Sequence, residues 1–162
     1  MKQNEFILQA EKVAGVLRAA GLRMATAESC TGGWIAKVCT DLAGSSDWFE
    51  CGFVTYSNEA KQSMISVSAE ALQQYGAVSE AVAHEMAQGV VTNSLAEVAV
   101  AVTGIAGPGG ATENKPVGMV CFGWKIPGQA VKTETMYFDG DRESVRAQTV
   151  MHALRGIIAL LG

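Results

Sequence analysis

The sequence predicts a three-layer α/β/α domain built on a mixed β-sheet. Helical and strand-like segments alternate from the amino terminus to the middle of the chain, and three strands then follow in succession. Within the first of those three, Val98-Ala99-Val100-Ala101-Val102 is a continuous apolar run suited to a strand covered on both faces.

Each element has a local reason. Segment 4–20 sets Phe6, Ala10, Val13 and Leu17 on one helical face. A strand is expected at 22–28, a helix at 32–42 and a second strand at 50–57. Helical pieces near 58–64 and 68–75 precede a longer helix at 79–94, for which Ser79 is a plausible N-cap. Strand 97–103 carries the apolar run. Strands 117–125 and 131–138 flank IPGQA (126–130) and read as a hairpin. The final helix, 141–161, starts from Asp141 as N-cap. The one long irregular piece is GIAGPGGATENKPVG (104–118), and an irregular loop of that length inside a compact domain is often functional. No repeat, low-complexity segment or internal linker interrupts the pattern, so one domain over 1–162 is expected.

Composition narrows the partners. A chain of 162 residues can bury a real core, and 49% apolar against 17% charged residues indicates a compact globular protein. The formal net charge of −4, with no Lys/Arg cluster, argues against a nucleic-acid binder but leaves room for a small anion on local arginines. No apolar run approaches the roughly 20 residues that span a bilayer. The amino-terminal MKQNEFILQAEKVAGVLRAAG carries Glu5 and Glu11 about a short apolar stretch, not a signal-peptide layout. Cys30, Cys39, Cys51 and Cys121 lack CxxC spacing, so neither a zinc site nor any other metal is implied, and reduced thiols in the cytoplasm are expected. Apolar exposure on helices such as 4–20 makes a homodimer the expected assembly.

Three segments fall at the carboxyl ends of predicted strands, where open α/β sheets collect ligands: AESCTGG (27–33), TYSNEAK (55–61) and TGIAGPGG (103–110). If the strands are parallel neighbours, the segments converge. In the first, Ser29 and Cys30 stand side by side before Gly32 and Gly33. Either Ser29 or Thr31 simply caps a helix, or the amides opening 32–42 receive an anion or a developing oxyanion. The segment is not a Walker loop, since no GK[ST] follows. In the second, Tyr56 and Lys61 offer a hydroxyl and an amine. Lysine serves as a base only when desolvation or a cationic neighbour depresses its pKa, and the alternative is a solvated helix lysine. His84 and His152 sit in ordinary helical surroundings, with no claim to a catalytic triad. The third segment lacks GxGxxG, so a Rossmann dinucleotide site is not indicated. It is either a flexible connection or a phosphate-binding loop, with Thr103 placed to offer a hydroxyl. In FDGDRESVRAQ, Arg142 and Arg146 share a helix face and either grip a phosphate or pair with Asp141 and Glu143. AGSSDWFECG adds Ser45 and Ser46, which either assist an oxyanion or end a helix ahead of core aromatics.

Taken together, AESCTGGWIAKVCTDLAGSSDWFECGFVTYSNEAK, GAVSEAVAHEMAQG, AVTGIAGPGGATENKPVG and FDGDRESVRAQ resemble the CinA C-terminal domain family from about Glu11 to the last helix. The resemblance implies a nicotinamide mononucleotide deamidase, as stand-alone members are. Such an enzyme hydrolyses the carboxamide to give nicotinic acid mononucleotide and ammonia, in pyridine nucleotide salvage and without a cofactor. It implies Ser29 as nucleophile, Lys61 as general base and Tyr56 as the third catalytic member. It matches Ser46 and Thr103 to positions that support the oxyanion or ligand and sets Gly104 and Arg142 in segments lining the pocket, while Thr31, Gly32 and Gly33 are expected, from their place at the opening of 32–42, to serve the oxyanion or substrate. Larger two-domain members carry a further amino-terminal domain, and activity tied to it is not carried over.

The expected chemistry is attack by Ser29 after Lys61 takes its proton, directly or through Tyr56, with oxyanion support from the amides opening 32–42. Two rivals remain open at this stage: a hydrolase using Cys30, and a non-catalytic nucleotide-binding regulatory module of the same fold.

Overall fold

The structure is a computed structural model that describes residues 2–162. In chain order its elements are α1 (Gln3–Ala20), β1 (Met24–Glu28), α2 (Trp34–Thr40), a short 3-10 turn (Ser45–Asp47) and β2 (Phe49–Val54). These are followed by α3 (Asn58–Ile65), α4 (Ala69–Tyr75), α5 (Glu80–Thr92), β3 (Val98–Gly104), β4 (Met119–Lys125), β5 (Lys132–Tyr137) and α6 (Arg142–Leu161). The sheet runs β2-β1-β3-β4-β5, with β1 parallel to both β2 and β3, and with β4 and β5 antiparallel. The predicted layers and mixed sheet are therefore present.

The apolar run in β3 explains the layering. Val98, Val100 and Val102 point into one core with Phe6, Val13 and Leu17 of α1 and Val150, Leu154 and Ile157 of α6. Ala99 and Ala101 face the other core with Val82, Met86 and Val90 of α5 and Ile65 of α3. Strand residues alternate between faces, so branched side chains fill one layer while alanines let α5 approach on the other. Gly123 on β4 extends that close contact, since a Cβ there would lie 2.5 Å from the Ala83 carbonyl oxygen of α5.

Several boundaries move inward from the sequence reading. Strand 50–57 ends at Val54, freeing Thr55 and Tyr56 to turn over the sheet edge, and helix 32–42 shortens to Trp34–Thr40. Both proposed caps are in place: Ser79 Oγ accepts from the Val82 amide, and Asp141 from the Ser144 amide. The apolar stripe of α1, including Ala14, packs against α6 in the first core, while Leu8 on the same helix stays exposed. No helix among the described residues is long and apolar enough to cross a membrane.

Candidate active site

Because β1 lies between β2 and β3 and all three are parallel, their carboxyl ends open at one edge of the sheet. There AESCTGG, TYSNEAK and TGIAGPGG meet around a cleft of about 220 Å³, lined by residues that include Ser29, Cys30, Tyr56, Lys61, Thr103, Gly104 and Arg142. Backbone hydrogen bonds stitch the three segments together: the Ser29 amide donates to Val102 O at 3.1 Å, and the Thr55 amide to Glu28 O at 2.9 Å.

Lys61 is the centre of the cleft. It lies in α3, whose N-cap Ser57 accepts from the Ala60 amide, and the helix points its side chain back under the sheet edge. The residue is 1% exposed. Its Nζ lies 3.0 Å from Ser29 Oγ, 2.8 Å from the Thr55 carbonyl oxygen and 3.3 Å from the Tyr56 carbonyl oxygen. No carboxylate is among these partners. A neutral amine has two hydrogens and one lone pair. In that neutral form the two carbonyls would take the hydrogens and the lone pair would face the serine hydroxyl. Burial disfavours the ammonium and lowers the Lys61 pKa from its ordinary value.

Cys30 is the opposite case. It is buried, and desolvation, aided by the Glu28 carboxylate, pushes its thiol up to about 12. A thiol so placed stays protonated at neutral pH and is a poor nucleophile. His84 is exposed on α5, and His152 packs among Phe122, Trp124 and Phe138 beside Glu134. Neither histidine lines the cleft.

Other expected site residues separate into those the fold brings to the cleft and those it does not. Tyr56 is present but 63% exposed, and its hydroxyl accepts from Arg142 Nη2 at 3.4 Å. Its carbonyl, not its hydroxyl, touches Lys61, and the direct 3.0 Å contact between Lys61 and Ser29 makes a relay through the phenol unnecessary. Thr103 is buried and donates its hydroxyl to Ala77 O at 2.9 Å, so it has acceptor capacity alone to offer a ligand. Gly104 borders the cleft where β3 crowds Val120 of β4, whose Cγ2 a Cβ would meet at 2.7 Å. Arg142 reaches in from the start of α6, spends Nη1 on Gly107 O at 2.8 Å, and keeps donors free at the mouth.

Five expectations are corrected. Thr31 is buried and gives its hydroxyl to Glu28 Oε1 at 2.5 Å. Gly32 and Gly33, at φ +60° and +106°, turn the chain away from Ser29 and line a separate groove of about 610 Å³ with Trp34, Lys37 and Arg146. The amides of Ile35 and Ala36, which were to receive an oxyanion, are already held by the Glu28 carboxylate at 2.9 and 3.0 Å. Ser46 sits in the turn before β2, exposed, at the amino end of a strand parallel to β1. The sheet's length separates it from Ser29. Arg146, paired with Arg142 on sequence spacing, instead donates to Cys30 O at 3.0 Å and Thr31 O at 3.1 Å while stacking on Trp34.

Sequence reasoning missed Asn58, Ala77, Val78 and Ala106 as cleft residues and assigned no role to Glu28. Asn58 stood inside a suspected segment. Nothing local marks Ala77 and Val78, which reach the site because Thr103 holds the 77 carbonyl.

Fold and cleft together define a class: a three-layer α/β protein with a buried serine–lysine pair where its parallel strands end. The model of the CinA C-terminal domain matches residues 8–161, and the chain belongs to that family. It is 52% identical over 155 residues to the nicotinamide-nucleotide amidohydrolase PncC of Escherichia coli strain K12, covering 96% of this chain and 94% of that protein. The Enterobacter agglomerans protein of the same name is 53% identical over 144 residues, 89% of this chain and 88% of its own. Among solved structures, the competence/damage inducible protein CihA of Agrobacterium tumefaciens superposes with a TM-score of 0.92 at 46% identity, covering 96% of this chain and 94% of that one.

Proposed function

We propose that this protein is a nicotinamide-nucleotide amidohydrolase. It converts nicotinamide mononucleotide and water to nicotinic acid mononucleotide and ammonia, using Ser29 as nucleophile and Lys61 as base. The names of the relatives above support the reaction class. The observation that carries the mechanism is the buried Lys61 amine 3.0 Å from Ser29 Oγ, with two carbonyls and no carboxylate around it.

Lys61 takes the Ser29 proton as Oγ attacks the carboxamide carbon. The Cys30 amide, next after the nucleophile, receives the developing oxyanion. The carbon–nitrogen bond breaks as the Lys61 ammonium hands its proton to the departing ammonia, leaving an ester on Ser29. Water, activated by the again neutral Lys61, hydrolyses that ester and restores the serine. Thr103 Oγ1 offers its lone pairs to the carboxamide N–H. Arg142 holds the 5′-phosphate at the cleft mouth and Tyr56 steadies its guanidinium, so that remote binding energy orients the amide. Cytoplasmic residence and action as a single domain fit this reading.

Ammonia release from nicotinamide mononucleotide by wild type, Ser29→Ala and Cys30→Ala tests it. Loss in the serine variant with retention in the cysteine variant is expected. Turnover surviving Ser29→Ala would overturn the assignment, and nucleotide binding without turnover by wild type would make the protein a binding module.

A further inference from the structure

The mechanism leaves one fully buried acidic side chain unused. Glu28 is 1% exposed, precedes the nucleophile, and does not line the cleft. No cation pairs with it: among the described residues it appears in no ion pair. Neutral donors surround it instead. Oε1 accepts the Thr31 hydroxyl at 2.5 Å and the Ile35 amide at 2.9 Å, and Oε2 accepts the Ala36 amide at 3.0 Å. Burying a carboxylate without a counter-charge is costly, so this arrangement must secure something the fold needs.

What it secures is the elbow from β1 into α2. Three donors separated along residues 31–36 converge on one side chain, which ties both ends of the turn to the strand that carries Ser29. The same residue's carbonyl receives the Thr55 amide, and the Thr55 carbonyl receives Lys61 Nζ. Glu28 thus touches the frame of both reactive groups and neither group itself. Arg146 of α6 adds a second hold on the elbow by donating to the Cys30 and Thr31 carbonyls.

We propose that Glu28, with Thr31 as its hydroxyl partner, is the positioning residue that aims Ser29 Oγ at the Lys61 lone pair. This rests on the serine–lysine reading above. Glutamine is nearly isosteric, but its amide nitrogen must face either the Ala36 N–H or the donors at the Oε1 position, so one hydrogen bond becomes a donor–donor contact. The elbow then relaxes and the hydroxyl swings from its line.

Steady-state kinetics of Glu28→Gln, Thr31→Val and Ser29→Ala on nicotinamide mononucleotide, with melting curves and pH–rate profiles, test the proposal. A misplacement near 1 Å costs about 10²-fold, so Glu28→Gln should lose about that much in kcat, with KM and the acid limb unchanged. Thr31→Val should lose about tenfold on the same grounds, and it decides the matter if Glu28→Gln does not fold. Wild-type kcat in the variants that fold would overturn the proposal. So would a loss that tracks only the unfolded fraction, or an acid limb moved in step with kcat, which would make Glu28 an electrostatic partner of Lys61. Ser29→Ala separates the two readings: if it stays active the serine mechanism fails, whereas if it is dead while Glu28→Gln is normal the positioning role alone fails.

Discussion

The elbow at residues 29–34 has two sides, and each carries a lysine. On the larger side, a groove of about 610 Å³ includes Lys37, which lies in solvent and donates to the Asp41 carboxylate at 2.8 Å. On the smaller side, a cleft of about 220 Å³ holds Lys61, buried, with carbonyls and a serine hydroxyl for partners. The larger cavity has Phe6, Trp34 and the solvated cation; the smaller has the desolvated amine. Volume is therefore a poor guide to the chemistry in this molecule. What distinguishes the sides is whether water and a counter-ion remain to hold the proton on nitrogen.

The sharpest way to break this contrast is to exchange the fates of the two lysines. Lys61→Met should cost about four orders of magnitude in kcat/KM, the upper end of what a general base contributes, and Lys61→Arg should fail similarly because a guanidinium does not deprotonate. Lys37→Met should leave ammonia release within about twofold, since an exposed i,i+4 pair contributes only tenths of a kcal/mol. Comparable losses from both would mean that burial is not what matters.

The pH profile sharpens the same point. Desolvation lowers the Lys61 pKa, and in the proposed mechanism the working form is the neutral amine, present above that pKa and lost below it. Activity should fall about tenfold per pH unit on the acid side of a limb lying below the ordinary lysine value of about 10.4. A profile flat between about pH 5 and 9 would count against a lysine base.

Smaller effects separate binding from chemistry and chemistry from folding. Arg142→Ala should raise KM about 10- to 100-fold with a lesser change in kcat, since a charge-assisted hydrogen bond contributes about 1.5–3 kcal/mol. An unchanged KM would remove the phosphate from that arginine. Gly123→Ala should destabilise the fold by about 1–3 kcal/mol, because its Cβ would press the Ala83 carbonyl oxygen at 2.5 Å; kcat per folded molecule should hold. Denaturant unfolding measures the first quantity and active-site titration the second.

Much of this was legible in the linear chain because local physics wrote it there. Alternating valine and alanine at 98–102 encoded a strand buried on both faces, the i, i+3, i+4 spacing of Phe6, Ala10, Val13 and Leu17 encoded α1, and Ser79 and Asp141 marked helix starts. The convergence of three strand ends also followed, once parallel pairing was assumed. Where the reading missed, the cause was partner choice across long sequence distances. Arg142 and Arg146 are equivalent by spacing, yet one faces the cleft mouth and the other is consumed by the Cys30 and Thr31 carbonyls. Ser46 precedes its strand instead of following it, which puts it at the wrong end for any side chain to span.

By itself, then, the chain determined its elements, its layers and the residue types available for chemistry, because propensity, periodicity and capping act over a few neighbouring positions. Tertiary structure alone decided which lysine loses its water, which serine meets it, and which amides Glu28 takes before a substrate could. Those outcomes depend on desolvation and on hydrogen-bond partners up to 116 residues apart, which appear only when the sheet closes.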